Sequence, residues 1–274
     1  MRYVETPRLR LPKIGLGTWP MKGAECQRAV ESALALGYRH IDTAEMYGNE
    51  DAVGAAIAAT GGRAQIQLTT KVWNDHLAPD ELRRAAHGSL ARLGTSYIDL
   101  YLIHWPHQEM NLRATLETMM DLQREGCVRA IGVANFPVAL LRKAVEEIGA
   151  PIACNQVEYH VLLGQSAVLS YARQHGIVLT AYSPLAKGRL DQHPEIAAIA
   201  RKHAATVPQI ALAWLFDQEG VAAIPKSARP EGQRENLAAL DIVLDDEDRR
   251  VLGALPKNER QVDLGTGIPW DPPG

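Results

Sequence analysis

The chain is short of cysteine, of long apolar runs and of any excess of charge. Cys26, Cys127 and Cys154 are odd in number among 274 residues and show no metal-ligand spacing. That excludes a disulfide scaffold and a bound metal, and it fits small buried side chains in a reducing cytosol. Nowhere do about 18 apolar residues run together, and Met1 to Lys13 holds no continuous apolar stretch. Neither a membrane span nor an export signal is expected, and the expected compartment is the cytoplasm. A formal net charge of −3, from 29 Lys and Arg against 32 Asp and Glu, excludes the basic balance that a nucleic-acid partner ordinarily requires. No composition break divides the chain either, so residues 1–274 read as one large domain, expected as a monomer. A chain of that length buries roughly three quarters of its surface without staples.

What is present is a rhythm. Short apolar runs at about 14–18, 38–42, 66–71, 97–103, 128–134, 152–157, 177–182 and 221–224 alternate with longer helical stretches. Cys26, Ala29, Val30, Ala33 and Leu34 make one helical stripe that stops at Gly37, and Leu82, Ala85, Ala86, Leu90 and Leu93 make another between Pro79 and Gly94. Further helices are read from Asn111 to Glu125 and from Pro137 to Ile148, and the charge run Asp245–Arg250 reads as a solvated helix face. Eight βα units in succession predict a closed (β/α)8 TIM barrel, with the proline-containing tail Gly265–Gly274 lying over its active-site end. The open doubly wound sheet is the alternative, and it lacks its fingerprint. Gly15-Leu16-Gly17-Thr18-Trp19-Pro20 supplies two glycines of G-x-G-x-x-G and then a proline where the third belongs.

Function in such a barrel sits at the carboxyl ends of the strands. Those ends carry Trp19, Asp42, Lys71 with Trp73, His104 with Trp105, Asn135, Gln156, Tyr182, and Lys226 with Ser227. Singly, each has an ordinary explanation: Asp42 as a turn cap, Lys71 in an ion pair between neighbouring strands, His104 as a core histidine. Together, Asp42, Tyr47, Lys71 and His104 are the parts of a proton-delivery device. A tyrosine with a pKa of about 10 is a poor acid at neutral pH; an ammonium beside it favours the phenolate, and a carboxylate holds that ammonium charged and aimed. Asn135 and Gln156 are amides able to bracket a carboxamide, and Tyr182 offers a ring for stacking. Pro225 to Arg229 opens a helix with Lys226 and Arg229, the composition of an anion site. A nicotinamide dinucleotide has those three parts.

The segments Gly37-Tyr38-Arg39-His40-Ile41-Asp42-Thr43-Ala44-Glu45-Met46-Tyr47-Gly48-Asn49-Glu50, Thr70-Lys71-Val72-Trp73, Ile103-His104-Trp105-Pro106, Val133-Ala134-Asn135-Phe136, Asn155-Gln156-Val157-Glu158-Tyr159-His160, Tyr182-Ser183-Pro184-Leu185 and Ile224-Pro225-Lys226-Ser227 resemble those of the aldo-keto reductase family. The resemblance spans nearly the whole chain. It implies reduction of aldehydes and ketones with NADPH, NADH being the alternative cofactor, and with Tyr47 as general acid, Asp42 and Lys71 tuning it and His104 orienting the carbonyl. It implies Gly17, Thr18, Trp19 and Asp42 along the cofactor, with Asn135 and Gln156 at its carboxamide and Tyr182, Ser183 and Leu185 beside it. Lys226, Ser227, Arg229 and Asn236 would meet its adenosine phosphate. Trp19, Tyr47, Trp73, His104 and Trp105, with Trp270 from the tail, would wall the substrate.

Two positions depart from the family pattern. Ala134 replaces the usual serine before Asn135, and Gly232 stands six residues after Lys226, where an arginine is usual. The short tail resembles the bacterial branch that reduces diketogluconate, methylglyoxal and similar dicarbonyls. Two other readings of the residues stay open: a barrel aldolase or isomerase forming a Schiff base on Lys71, and a regulatory subunit that binds nucleotide without turnover.

Overall fold

A computed structural model describes residues 1–272, so Pro273 and Gly274 of the expected tail lie outside the described residues. The chain opens with an antiparallel hairpin, β1 (Tyr3–Glu5) and β2 (Arg10–Pro12). Eight parallel strands follow: β3 (Leu16–Gly17), β4 (His40–Asp42), β5 (Gln67–Val72), β6 (Ile98–Ile103), β7 (Val128–Ala134), β8 (Ile152–Glu158), β9 (Val178–Tyr182) and β10 (Val221–Ala223). They pair in chain order, and a parallel bridge from Ile14 to Ala223 joins the last strand to the first. The seam is tight, since a Cβ on Gly17 would stand 2.6 Å from the Ile224 carbonyl oxygen. The predicted (β/α)8 barrel is the fold found, and the strands begin and end within about two residues of their predicted limits.

The helices form where the apolar stripes demanded them. Cys26, Ala29, Val30, Ala33 and Leu34 are the buried face of α1 (Gly23–Ala35). The helix from Pro79 to Leu93 ends on Gly94 in the left-handed conformation, φ 61°. The segment after Pro137 differs from a regular helix: Val138–Arg142 is α-helical and Lys143–Glu147 continues as a π turn. The charge run 245–250 is also not wholly solvated. Asp248 is buried, and its carboxylate receives Lys202 Nζ at 2.8 Å and His203 Nε2 at 2.7 Å.

The opening hairpin had no counterpart in the predicted βα series, because its strands are three residues each and precede the first repeat. Its side chains Val4, Leu9 and Leu11 form one cluster with Leu100, Leu102, Ala130, Cys154, Val178 and Ala222 from the barrel strands. Tyr101 and Ile103 belong instead to the large cluster shared with the surrounding helices, as period-two alternation requires of a strand buried on both faces. The hairpin therefore caps the interior of the barrel. Leu11 is completely buried there. Leu11→Ala is expected to cost about 2–5 kcal/mol, the usual range for a core leucine. The measurement is the urea midpoint at constant m-value; an unchanged midpoint would mean that the hairpin is not part of the core.

Candidate active site

A cavity of about 310 Å³ opens at the carboxyl ends of the strands. Gly17, Thr18, Trp19, Asp42, Tyr47, His104, Trp105, Asn135, Gln156, Tyr182, Ser183 and Lys226 line it, all of them positions singled out in the sequence.

At its floor lies an ion pair. Lys71 leaves β5 with its ammonium 2.5 Å from Asp42 Oδ1 of neighbouring β4, and both side chains are essentially without exposure. The ammonium also donates to the Thr43 carbonyl at 2.9 Å and stands 3.5 Å from the Tyr47 hydroxyl. Burial opposes the charge on Lys71, but Asp42 and the other partners outweigh it and hold the ammonium above its ordinary pKa. The other oxygen of Asp42, Oδ2, accepts Gln156 Nε2 at 2.7 Å.

Tyr47 ends a short 3₁₀ turn, Glu45–Tyr47, which Gly48 closes in the left-handed conformation. Both sides of the turn are pinned. Asn49 accepts the Thr43 hydroxyl at 2.5 Å and donates to the Met21 carbonyl at 2.9 Å, while Glu45 Oε2 accepts the Trp73 amide at 3.1 Å. Burial raises the pKa of Tyr47, the Lys71 charge works in the opposite direction, and the net direction is upward. The expectation of a net lowering is thus not met: Lys71 acts as foreseen, but desolvation of the phenolate is the larger effect. The hydroxyl keeps its proton.

His104 meets Tyr47 edge-on, with ring centroids 5.5 Å apart. Burial, with Lys71 adding to it, pushes its pKa well below the ordinary value, so the ring is neutral. Among the described residues its Nδ1 is buried without a hydrogen-bond partner. A buried N–H without an acceptor is the costlier orphan, so the hydrogen belongs on Nε2, the nitrogen left to face the cavity.

Asn135 sits at φ 62°, a left-handed conformation that asparagine tolerates better than most residues. Its Nδ2 donates to the His104 carbonyl at 3.0 Å and its Oδ1 accepts the Tyr182 hydroxyl at 2.8 Å. One Nδ2 hydrogen remains. Gln156 gives one Nε2 hydrogen to Asp42 and keeps Oε1 as an acceptor, so the pair offers at least one donor, on Asn135, and one acceptor, on Gln156.

Other positions stand away from the cavity wall. Trp73 supports the far side of His104, edge-on with centroids 5.2 Å apart. Leu185 is half-buried behind the wall and Asn236 is buried in the helix Pro230–Ala238. Ser227 turns its hydroxyl onto the backbone of Arg229, donating to that carbonyl at 3.0 Å and accepting its amide at 3.2 Å, and Arg229 is exposed.

Sequence reasoning missed Met46, Pro184, Lys187, Ile224, Val262 and Leu264, which complete the lining. Met46 and Pro184 lie inside quoted motifs. Val262 and Leu264 come from the stretch just before Gly265, which continues into the expected tail and is counted with it; its path carried no periodic signal. The tail does cross the barrel mouth: Trp270 meets Trp105 edge-on at 6.0 Å, Asp271 accepts the Val138 amide at 2.8 Å, and Gln108 Nε2 donates to the Gly267 carbonyl at 2.5 Å.

The aldo/keto reductase family model matches residues 13–255. Methylglyoxal reductase DkgB of Escherichia coli O157:H7 is 41% identical over 268 residues, covering 96% of this chain and all of that protein. A crystal structure provisionally named 2,5-diketo-D-gluconic acid reductase B superposes with a TM-score of 0.96 at 38% identity, over 99% of this chain and 98% of the other. The thermostable aldo-keto reductase Tm1743, solved with the inhibitor epalrestat, gives 0.88 at 39% identity over 93% and 99%.

One consequence concerns acid. His40, in the barrel beneath Asp42, bonds Thr69 Oγ1 through Nε2 at 3.0 Å, and burial pushes its pKa down to about 4. The unfolded chain, with its histidine near 6.5, takes up the proton first as pH falls. Stability is therefore complete above about pH 6.5 and is lost toward pH 4, by at most about 1.4 kcal/mol per pH unit for this group. Urea unfolding at pH 7.5, 5.5 and 4.5 should show that decline, shallower in His40→Gln; an identical slope would remove His40 as a source of it.

Proposed function

The chain belongs to the aldo/keto reductase family of carbonyl-reducing oxidoreductases, and on that premise we propose that it reduces aldehydes, ketones and small dicarbonyls to alcohols with NADPH, Tyr47 giving the proton. The observation that carries the reading is the Tyr47 hydroxyl 3.5 Å from an ammonium that Asp42 locks in place, on the floor of a cavity shared with His104.

The donor set fits a nicotinamide cofactor. The free Nδ2 hydrogen of Asn135 and the free Oε1 of Gln156 complement the oxygen and nitrogen of a carboxamide, and the Tyr182 ring beside them is a flat stacking surface. Lys226 reaches the same cavity from the start of the last βα loop, and Arg229 precedes the helix Pro230–Ala238, whose amino-terminal end favours anions. A nicotinamide held there by Asn135, Gln156 and Tyr182 would supply a hydride for the carbonyl carbon.

The protein's own part is orientation and proton transfer. His104, neutral with its hydrogen on Nε2, donates to the carbonyl oxygen and fixes its lean toward Tyr47. Tyr47, fully protonated because burial raises its pKa, gives its proton to that oxygen as hydride arrives at carbon, and the product is the alcohol. The phenolate left behind faces the Lys71 ammonium, and this is where the Lys71–Asp42 pair stabilises the transition state. Trp19 and Trp105 border the reacting groups with apolar surface, and the E. coli relative named methylglyoxal reductase supports a small dicarbonyl as substrate.

A Schiff base on Lys71 fits less well. An amine must lose its proton to attack a carbonyl, and this one is held charged by a buried carboxylate and a backbone carbonyl. A regulatory role without turnover would leave the tyrosine, lysine, aspartate and histidine without work.

Both departures from the family pattern bear on the cofactor. Ala134 has no hydroxyl to offer beside Asn135. At Gly232 a Cβ would stand 2.6 Å from Ser227 Oγ, so the turn Ser227–Arg229 is built around the missing side chain. The phosphate reading therefore rests on Lys226 and Arg229.

Tyr47→Phe is expected to lower turnover by about 10²–10⁴ while cofactor binding, followed by protein fluorescence, survives. Retained turnover would sink the assignment. Arg229→Ala should weaken NADPH by about tenfold more than NADH in the same titration, the worth of one charge-assisted contact. Equal weakening would take Arg229 out of phosphate recognition.

A further inference from the structure

We infer that Glu158 is a positioning residue for this reduction: its buried carboxylate latches the carboxyl-terminal tail over the cavity and so sets the wall that the carbonyl substrate meets. The inference rests on the proposed carbonyl reduction.

Glu158 is the last residue of β8 and is completely buried. It follows Gln156 by two residues, so both side chains leave the same face of the strand. Oε1 accepts the Gln261 amide at 2.9 Å and His160 Nε2 at 3.0 Å; Oε2 accepts the Val262 amide at 2.9 Å and the Gln261 amide at 3.1 Å. The carboxylate is thus filled largely by tail backbone, through charge-assisted bonds that a neutral side chain cannot reproduce. Arg260 adds a second tie. Its guanidinium lies on the Trp270 ring, 3.7 Å from the centroid, with Nη1 4.0 Å from Glu158 Oε2. Among the described residues that Nη1 is buried with no hydrogen-bond partner, so the charge of Glu158 is its compensation.

The latched residues lead straight into the cavity. Val262 is held by the carboxylate and lines the wall, and Leu264, two residues on, lines it while half its surface stays exposed. An apolar side chain keeps such a place only if its backbone is fixed. The far part of the tail is tied separately, at Val138 and Gln108. Losing Glu158 therefore frees the segment that touches substrate without releasing the whole tail.

The test is Glu158→Gln in the full chain, assayed with methylglyoxal and a benzaldehyde. KM should rise about tenfold with kcat within about twofold, because the lost contacts act on substrate binding and not on proton transfer. NADPH affinity by fluorescence should also stay within about twofold. Hydrogen exchange should show faster exchange at the Gln261 and Val262 amides, whether or not the protein turns over. Gln261→Pro removes the amide that donates to both oxygens, together with the side-chain bond from Gln261 Nε2 to the Ala186 carbonyl, and leaves Glu158 and the barrel intact; Gln261→Ala, which loses only the side-chain bond, is its control, so the test remains informative if the first variant does not fold. Gln261→Pro should raise KM by a similar factor, and the double variant should rise no further. Unchanged exchange at residues 261 and 262, faster exchange with unchanged KM, or additive effects would each overturn the inference. If the wild type reduces no carbonyl, the proposed function falls, and the exchange measurement alone decides whether Glu158 is a latch.

Discussion

The Lys71–Asp42 pair is the constraint to which the top of this barrel is fitted. Two opposite charges with almost no exposure lose their hydration, and a pair so placed adds little net stability, whereas stripping one partner from such a pair costs about 3–5 kcal/mol. The barrel therefore surrounds the pair with every partner it needs: the Thr43 carbonyl, the Gln156 amide and the Tyr47 hydroxyl. Those partners come from the loop after β4 and from β8, so a single pair ties the registers of distant strands. A slip of β5 by one residue would turn Lys71 onto the helix side. Because Asp42 serves Lys71 with one oxygen and Gln156 with the other, the corner of Lys71 and Tyr47 and the amide corner share one carboxylate.

The division of labour around the cavity follows from burial. The floor is polar and its charged pair is matched by the backbone and by neighbouring side chains, while Asn135 and Gln156 keep free amide groups facing the cavity. The walls are apolar and come from less regular pieces: Trp19, Met46, Trp105 and the tail residues Val262 and Leu264. Placement at the floor is a matter of strand register, which is rigid. Placement at the walls is a matter of loop anchoring, which is why the half-buried Glu45 and the buried Glu158, neither on the floor of the cavity, hold loop amides in place.

The barrel was legible because apolar runs repeat eight times with punctuated helices among them, and the floor was legible because Asp42, Lys71, His104, Asn135 and Gln156 fall at strand ends where polar side chains need a reason. Three things were not. The hairpin of β1 and β2 is too short for period-two alternation to register. The pKa of Tyr47 is decided by how completely the hydroxyl is desolvated, a quantity that depends on the packing of the whole mouth rather than on which charges are near. The tail contributes Val262 and Leu264 through hydrogen bonds of its backbone to Glu158, and backbone donors leave no mark on residue identity. Asn236 illustrates the opposite limit, since matching a motif position says nothing about whether the side chain reaches the cavity.

The hairpin at the other end carries a kinetic implication. With Val4, Leu9 and Leu11 filling the underside of the barrel, the well that holds Lys71 and Tyr47 is blind, and everything it exchanges with solvent passes one rim. On the proposed reaction, a proton given up by Tyr47 would be replenished from above, by the route an alcohol product would leave. Recharging the acid and releasing product would then share a single doorway.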